Sequence, residues 1–166
     1  MPKDAVDLIA DQWRAERPDL DVSAVRVVGR ISRASRLLER GIRVTFAARD
    51  LQPWEFDVLA SLRRAGPPYR LTAGQLVTAM MVSAASITSR ADALVAKGLV
   101  TRDLDPENRR SVLIGLTDAG FQVVDEAIEA HAAREHELLS GLSERECDQL
   151  ARLLRKLLVG LGDEAR

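Results

Sequence analysis

Four small hydroxyl-bearing residues cluster at the start of a predicted helix: Ser83, Ser86, Thr88 and Ser89. Short side chains let a helix backbone come close to its ligand, and the amide groups at a helix N-terminus favour anions. Both properties suit the phosphates and the base edges of duplex DNA. We therefore predict that these four residues contact DNA.

Two adjacent cations, Arg109 and Arg110, end a polar turn that starts at Asp105. The turn joins two stretches with alternating apolar residues, 99–104 and 111–116, which predicts a β-hairpin. Side chains at the end of such a turn can reach a minor groove, where narrow A·T tracts concentrate negative potential. We predict that both arginines contact DNA.

The elements that must position these residues follow one another along the whole chain. Hydrophobic spacing and helix-capping residues predict the following order. Helices cover 4–16, 22–48 and 53–65, a strand covers 69–71, helices cover 72–80 and 83–98, the hairpin strands follow, and the last helices cover 117–139 and begin at 143. Two helices joined by a short turn and followed by a hairpin form a winged helix-turn-helix. The predicted fold is therefore mainly α with a small β-wing.

We predict one structural domain with three kinds of segment. Residues 1–20 form an N-terminal extension helix, 21–50 and 118–166 form dimerisation helices, and 51–117 form the DNA-binding winged helix-turn-helix. The outer helices have more apolar surface than one 18.3 kDa subunit needs, so we expect an intertwined homodimer. Its two recognition helices would lie roughly 34 Å apart, which calls for an inverted-repeat operator in double-stranded DNA.

The bulk composition limits the classes of protein that remain. Apolar residues make up 46% and charged residues 30% of the 166 residues, which is typical of a globular chain. The formal net charge is −1, so a DNA-binding face requires uneven placement of charge. A single cysteine, Cys147, excludes an internal disulfide and favours a reducing compartment. With no signal peptide and no long apolar run, we predict a cytoplasmic protein without membrane contact.

Several motifs together resemble the MarR family of regulators. Residues 71–76 (LTAGQL) are similar to its first DNA-reading helix, and 83–90 (SAASITSR) to the start of its recognition helix. Residues 94–102 match the passage into its wing, while 105–110 and 116–120 resemble the wing and its exit. The resemblance implies a ligand-responsive transcriptional repressor that has no enzymatic activity and no cofactor. One departure is Asn108, because the family commonly has an aspartate before the wing arginines.

A subgroup of that family responds to urate and carries an additional N-terminal helix, as this sequence does. The resemblance implies a ligand site formed by Trp13, Asp57, Arg90 and Arg102. Trp13 would cover the face of a planar anion, and the Arg90 guanidinium would donate to its oxygens. We expect Arg102 to pair with Asp57, and a ligand that disturbs this pair to move the recognition helix and the wing together. Organic acids such as citrate or aconitate are alternative ligands within the subgroup.

Other interpretations remain open at this stage. Cys147 lies in the first turn of the last helix, where its pKa can be lowered, so an oxidant-sensing regulator is one alternative. A winged helix used for protein contacts is another. His131 and His136 are five residues apart and complete no metal site, and we expect both at the surface or the dimer interface. No nucleophile elbow, phosphate-binding glycine loop or zinc motif indicates an enzyme.

Overall fold

The fold is described from a computed structural model, in which residues 2–106, 108 and 111–163 are placed. Within them the elements are α1 (Ala5–Glu16), α2 (Val25–Ala47), α3 (Pro53–Arg64), β1 (Arg70–Thr72), α4 (Ala73–Met80), α5 (Ala84–Ala96), β2 (Val100–Leu104), β3 (Val112–Leu116), α6 (Asp118–Leu138) and α7 (Glu144–Gly160). The predicted order is confirmed, and so is the class of a mainly helical fold with a small sheet. The chain forms two compact units, Met1–Val44 and Thr45–Arg166.

In the first unit, α1 packs closely against the start of α2. A side chain added at Gly29 would bring a Cβ within 3.1 Å of Val6, so glycine permits the close approach. Across the same contact, Arg30 forms ion pairs with Asp4 and Asp7, at 2.9 and 2.8 Å. Asp4 also caps α1 by accepting from the Val6 amide.

The second unit contains a three-stranded antiparallel sheet in the order β1-β3-β2. Ile114 of β3 lies opposite Leu71 of β1 and Arg102 of β2, and its side chain is buried. The first strand begins one residue later than we predicted from the sequence. Tyr69 has a φ of 58°, in the left-handed region, so it belongs to the turn before the strand.

The two central helices, α4 and α5, are joined by a tight turn. The Thr72 hydroxyl caps α4 by accepting from the Gln75 amide at 3.2 Å, as the capping-box spacing predicted. Met81 ends α4 with a left-handed φ of 51°, and the chain turns at once into α5, which Ser83 caps. The predicted helix-turn-helix is therefore confirmed.

The core of the second unit lies between α3, α4, α5, the sheet and α6. Its largest fully buried apolar side chains are Val58, Leu59, Leu62, Leu76, Ile87, Leu94, Ile114 and Val124. The start of α6 is fixed on the end of α5, because Thr117 donates to the Gly98 carbonyl at 2.8 Å. At Gly120 an added Cβ would collide with the Leu99 carbonyl, so the close packing of α6 requires glycine.

The last helix, α7, is capped by Ser143 but buries none of its residues in the single chain. Its apolar residues form one continuous stripe at helical spacing. The stripe consists of Leu150, Leu153, Leu154, Leu157, Leu158 and Leu161. Among the described helices, none is long and apolar enough to cross a membrane.

Candidate nucleic-acid interface

The hydroxyl residues predicted from the sequence lie on the first two turns of α5. Ser83, Thr88 and Ser89 are exposed, and Ser86 is half-buried. The Ser83 hydroxyl accepts from the Ser86 amide at 3.2 Å, and the Thr88 hydroxyl donates to the Ala84 carbonyl at 3.3 Å. Two of the four hydroxyls therefore also stabilise the helix start. The remaining first-turn amides have no acceptor within the helix, as at any helix N-terminus.

The wing arginines predicted to contact DNA, Arg109 and Arg110, lie outside the described residues. Beside them, Asn108 donates from its side chain to the Ser111 hydroxyl at 3.0 Å, and its carbonyl accepts from the Ser111 amide at 2.7 Å. Asn108 therefore links the wing turn to Ser111, the residue before β3.

A cavity of about 470 Å³ lies beside helices α4 and α5. Its walls come from one face of α3, the end of α4 and the turn after it, Arg90 of α5, and one side chain of α6. The lining residues with polar side chains are Asp57, Ser61, Arg64, Arg90 and His131. Two of the four residues predicted to bind ligand, Asp57 and Arg90, thus share one cavity.

Asp57 faces this cavity from α3. Its side chain is still reached by solvent, but the surrounding walls displace enough water for burial to raise the pKa of its carboxyl above 3.8. The nearby charges of Arg90, His131 and Arg64 partly oppose this rise in pKa. A carboxyl in this environment accepts a proton more readily than one in water.

Arg90 extends over the ring of Trp54, with 5.7 Å between the guanidinium carbon and the ring centroid. This distance is within the range of a cation–π contact. Trp54 was not singled out as a site residue from the sequence. The contact holds the Arg90 guanidinium beside Trp54 at the wall of the cavity.

The predicted pair between Arg102 and Asp57 is not found. Arg102 on β2 instead lies 3.3 Å from Asp92 on α5, and it does not line the cavity. The reason is topological: β2 follows α5 directly, so the start of the wing lies beside α5. Arg102 thereby links the wing to the recognition helix.

Trp13, the fourth predicted ligand residue, lies on α1 in the first unit. Its side chain is about half exposed, and together with Gln12 and Glu16 it borders an open hollow on the helix surface. A large apolar ring with this exposure is available to cover a planar ligand.

Three cavity residues were missed in the sequence. Ser61 and Arg64 follow Asp57 at i+4 and i+7, so all three share one face of α3, and this spacing could have identified them. His131 was expected at the surface or the dimer interface, and this stays a prediction, since its side chain is 22% exposed in the single chain. Its ring stacks on Phe46 with 5.4 Å between the centroids and is tilted against Phe56 at 4.9 Å.

A buried carboxylate joins α3 to the end of α5. Glu55 is 2% exposed, and its carboxylate lies 3.0 Å from the Lys97 ammonium. It also accepts from the Gln52 amide at 2.7 Å. Since a buried charge is stable only when paired and hydrogen-bonded, these contacts fix the end of the recognition helix against α3.

Cys147 lies in the first turn of α7 and is partly buried. Within the described part of the chain, no group of three or more His, Cys, Asp or Glu side chains is arranged to hold a metal ion.

Comparison with known proteins gives a consistent result. A MarR-family profile matches residues 49–111. The transcriptional regulator PecS of Dickeya dadantii is 42% identical over 149 residues, which are 90% of each chain. The crystal structure of an Escherichia coli MarR mutant bound to operator DNA superposes with a TM-score of 0.73 and 27% identity, covering 84% of this chain and 99% of that one. BpsR of Bordetella bronchiseptica, whose DNA binding is regulated by 6-hydroxynicotinic acid, has a TM-score of 0.73 and 25% identity over 83% of this chain and 96% of its own.

Proposed function

The chain belongs to the MarR family, and from this premise we propose that it is a homodimeric repressor that binds an inverted-repeat operator and is released by a small planar anion such as urate. Its relatives are transcriptional regulators, which agrees with the prediction that the chain is not an enzyme.

The observation that carries the DNA-binding proposal is the position of the small hydroxyl residues at the start of α5. This helix follows a tight turn and precedes a wing, which is the order of elements in a winged helix-turn-helix. Ser86, Thr88 and Ser89 leave room for the backbone to approach DNA, and the Ser83 cap keeps the helix start ordered. Arg109 and Arg110 would add phosphate or minor-groove contacts from the wing.

The dimer proposal is supported by the apolar stripe of α7. A monomer gains nothing from leaving five leucines of this stripe exposed to water, with Leu154 half-buried beside them. Burial against a second copy would remove that exposure and set the spacing between the two recognition helices. The segments 21–50 and 118–166 are the proposed dimerisation helices.

The ligand site of the proposal is the cavity that contains Asp57 and Arg90. The Arg90 guanidinium would donate to the oxygens of the anion. Arg102 contributes through its pair with Asp92, which ties the wing to α5. Since BpsR responds to a planar heteroaromatic acid, a planar anion is a reasonable class of ligand here as well.

The release mechanism follows from the walls of the cavity. Met80, the last residue of α4, and Val82, in the turn that follows, line the same space as Asp57. A ligand that fits only when this turn is displaced would bind the DNA-free conformation more tightly. Such a difference in affinity is what allows a ligand to shift the population away from DNA.

The test is a gel shift with an inverted-repeat fragment from the region upstream of the protein's own gene. We expect Ser89→Asp to weaken DNA binding at least tenfold, because it places a negative charge against phosphate. Gln122→Asp on the exposed face of α6 adds the same charge elsewhere and is the matched control. Equal affinities of the two variants would refute the assignment of α5 as the DNA-contacting helix.

The ligand part is tested by titrating urate into the preformed complex. We expect urate to release the wild-type protein and Asp57→Ala to blunt the release. If Asp57→Ala responds like the wild type, the ligand site is elsewhere. If an oxidant rather than urate releases the protein, and Cys147→Ser abolishes that response, the oxidant-sensing alternative is correct.

A further inference from the structure

A second arginine, Arg64, lines the same cavity as Arg90, whereas Arg102 does not line it. Arg64 lies on the last turn of α3, on the same helix face as Asp57 and Ser61. Among the described residues, no carboxylate lies within ion-pair distance of either Arg64 or Arg90. The cavity is therefore lined by two guanidinium groups that form no ion pair with a described carboxylate.

The Arg64 side chain is held in place by a buried hydroxyl. Ser61 is 5% exposed, and its hydroxyl accepts from the Arg64 Nη2 group at 3.2 Å. The same hydroxyl donates to the Asp57 carbonyl at 2.7 Å, which fixes its direction. A long surface side chain gains affinity for a ligand when its conformation is fixed beforehand.

The charges of the cavity favour an anion with more than one acceptor group. Two arginines face one carboxyl, Asp57, whose burial disfavours its ionised form. A ligand with a single acceptor edge would leave one guanidinium without a partner. Guanidinium groups bind planar acceptors through paired N–H donors, so two of them select two separate planar acceptor groups.

We propose that Arg64, positioned by Ser61, is the second anchoring arginine of this ligand site, and that the ligand is a planar molecule with two separate acceptor groups, at least one of them anionic. Arg90 binds one group and Arg64 the other. The proposal rests on the proposed ligand-responsive function and names the residues and the chemical class for that same site.

A competing explanation is that Arg64 only stabilises α3. A cation in the last turn of a helix interacts favourably with the helix dipole. That role requires no hydroxyl to hold the guanidinium, and it predicts an effect on unfolding without any effect on ligand affinity. The two explanations therefore differ in a measurable way.

The experiment is calorimetric titration of the full-length protein with urate and with 6-hydroxynicotinate, both of which carry acceptor groups on opposite edges. We expect Arg64→Gln to weaken binding about ten- to hundredfold, because it removes a charge-assisted pair of hydrogen bonds. Arg64→Lys retains the charge but loses the planar arrangement of N–H donors. Its affinity should lie between those of the wild type and Arg64→Gln. Ser61→Ala should weaken binding a few-fold, because Arg64 is then no longer held.

Arg63→Gln is the matched control, since it removes the neighbouring arginine of α3, which pairs with Asp125 and does not line the cavity. Arg102→Gln tests the arginine that the sequence predicted for this site. Nicotinate, which lacks the oxygen substituent opposite the carboxylate of 6-hydroxynicotinate, is the matched probe. Nicotinate should bind more weakly to the wild type, and its affinity should fall less when Arg64 is replaced by Gln. The unfolding midpoint of each variant without ligand identifies any loss of fold, in which case Arg64→Lys provides the decisive comparison.

The outcomes separate the two proposals. If the wild type binds neither urate nor 6-hydroxynicotinate, the proposed ligand site fails and this inference fails with it. If Arg64→Gln and Arg64→Lys both bind the ligand as tightly as the wild type, only the role of Arg64 is refuted. If Arg102→Gln loses affinity while the Arg64 variants do not, the second arginine is Arg102, as the sequence predicted.

Discussion

Helices α3 and α7 use their apolar residues in opposite ways. The twelve residues of α3 include four apolar residues that are buried within the chain, whereas the seventeen residues of α7 include none. Leu59 on α3 is fully buried, while Leu153 on α7 is 53% exposed. Helix α3 therefore belongs to a core that a single chain completes, whereas α7 has an apolar face that the single chain leaves uncovered.

The largest expected effect is on assembly through α7. Leu154→Asp combined with Leu158→Asp should raise the dimer dissociation constant at least a hundredfold, since burial of each leucine contributes about 1.5–3 kcal/mol. Arg152→Asp, on the opposite face of α7, is the control. Sedimentation equilibrium measures the dissociation constants. A double variant that stays as dimeric as the wild type would mean that α7 does not form the interface.

The next effect compares equal truncations in the two helices. Leu59→Ala should lower the free energy of unfolding by about 2–5 kcal/mol at any protein concentration, because it opens a cavity in the core. The loss for Leu153→Ala should depend on protein concentration, because its burial requires a second copy. Denaturant titrations at several concentrations test both expectations. If the loss of unfolding free energy is independent of protein concentration for both variants, then burial of Leu153 does not require a second copy.

A smaller effect is expected where α3 meets the end of α5. Lys97→Met leaves the buried Glu55 carboxylate without its cation and should destabilise the protein by roughly 1–3 kcal/mol. Partial exposure of Lys97 keeps the loss below that of a fully buried pair. Glu55→Gln combined with Lys97→Met should recover part of it. If the double variant is no more stable than Lys97→Met, the pair does not account for the loss.

A still smaller loss of stability is expected from removing a serine cap. Ser83 caps α5 and Ser143 caps α7, each by accepting from the amide three residues later. Ser83→Ala should cost about 1 kcal/mol in unfolding free energy and should also weaken operator binding. Ser143→Ala should leave operator affinity of the preformed dimer unchanged. An equal loss of operator affinity in both variants would contradict a specific role for the start of α5.

The smallest effect concerns pH. Burial raises the pKa of Asp57, so the folded protein binds this proton more tightly than the unfolded chain, and stability from this group falls as the pH rises above 3.8. Asp57→Asn should therefore be slightly more stable than the wild type at pH 7, and the difference should vanish near pH 3.

For Asp7 in the first unit, the expected pH dependence of stability has the opposite sign. The hydrogen bond from Arg30 lowers the pKa of Asp7, so its contribution is present at pH 7 and is lost as the pH falls below 3.8. Asp7→Asn should be slightly less stable than the wild type at neutral pH. Thermal unfolding between pH 3 and 7 measures both variants, and solvent exposure keeps each difference small. Differences of the same sign in both variants would refute this interpretation.

Much of the fold could be predicted because its determinants are local. Thr72 with Gln75 and Ser143 with Glu146 have the spacing of capping boxes, and both boxes form. Boundaries were missed where local geometry overrides hydrophobic pattern. The left-handed Tyr69 delays β1, and the Asp21 side chain accepts from the Ser23 amide in a turn that precedes α2.

The candidate site was less predictable than the fold. Asp57 and Arg90 were identified through family resemblance, and they do line one cavity. Arg64 was missed, although its spacing from Asp57 places both on one face of α3. The partner of Arg102 could not be predicted either, because several acidic residues lie within reach in sequence and only the packing of β2 beside α5 selects Asp92.

The order of the helices, the caps that begin them, the wing and the apolar stripe of α7 can be predicted from the sequence, because each depends on residues a few positions apart. Which distant side chains meet depends on the packing of the folded chain. Packing buries Glu55 against Lys97, places the His131 ring against Phe46 and Phe56, and brings Arg64 and Arg90 to the same cavity. Such meetings depend on how helices pack, and packing is set by the whole core rather than by local sequence.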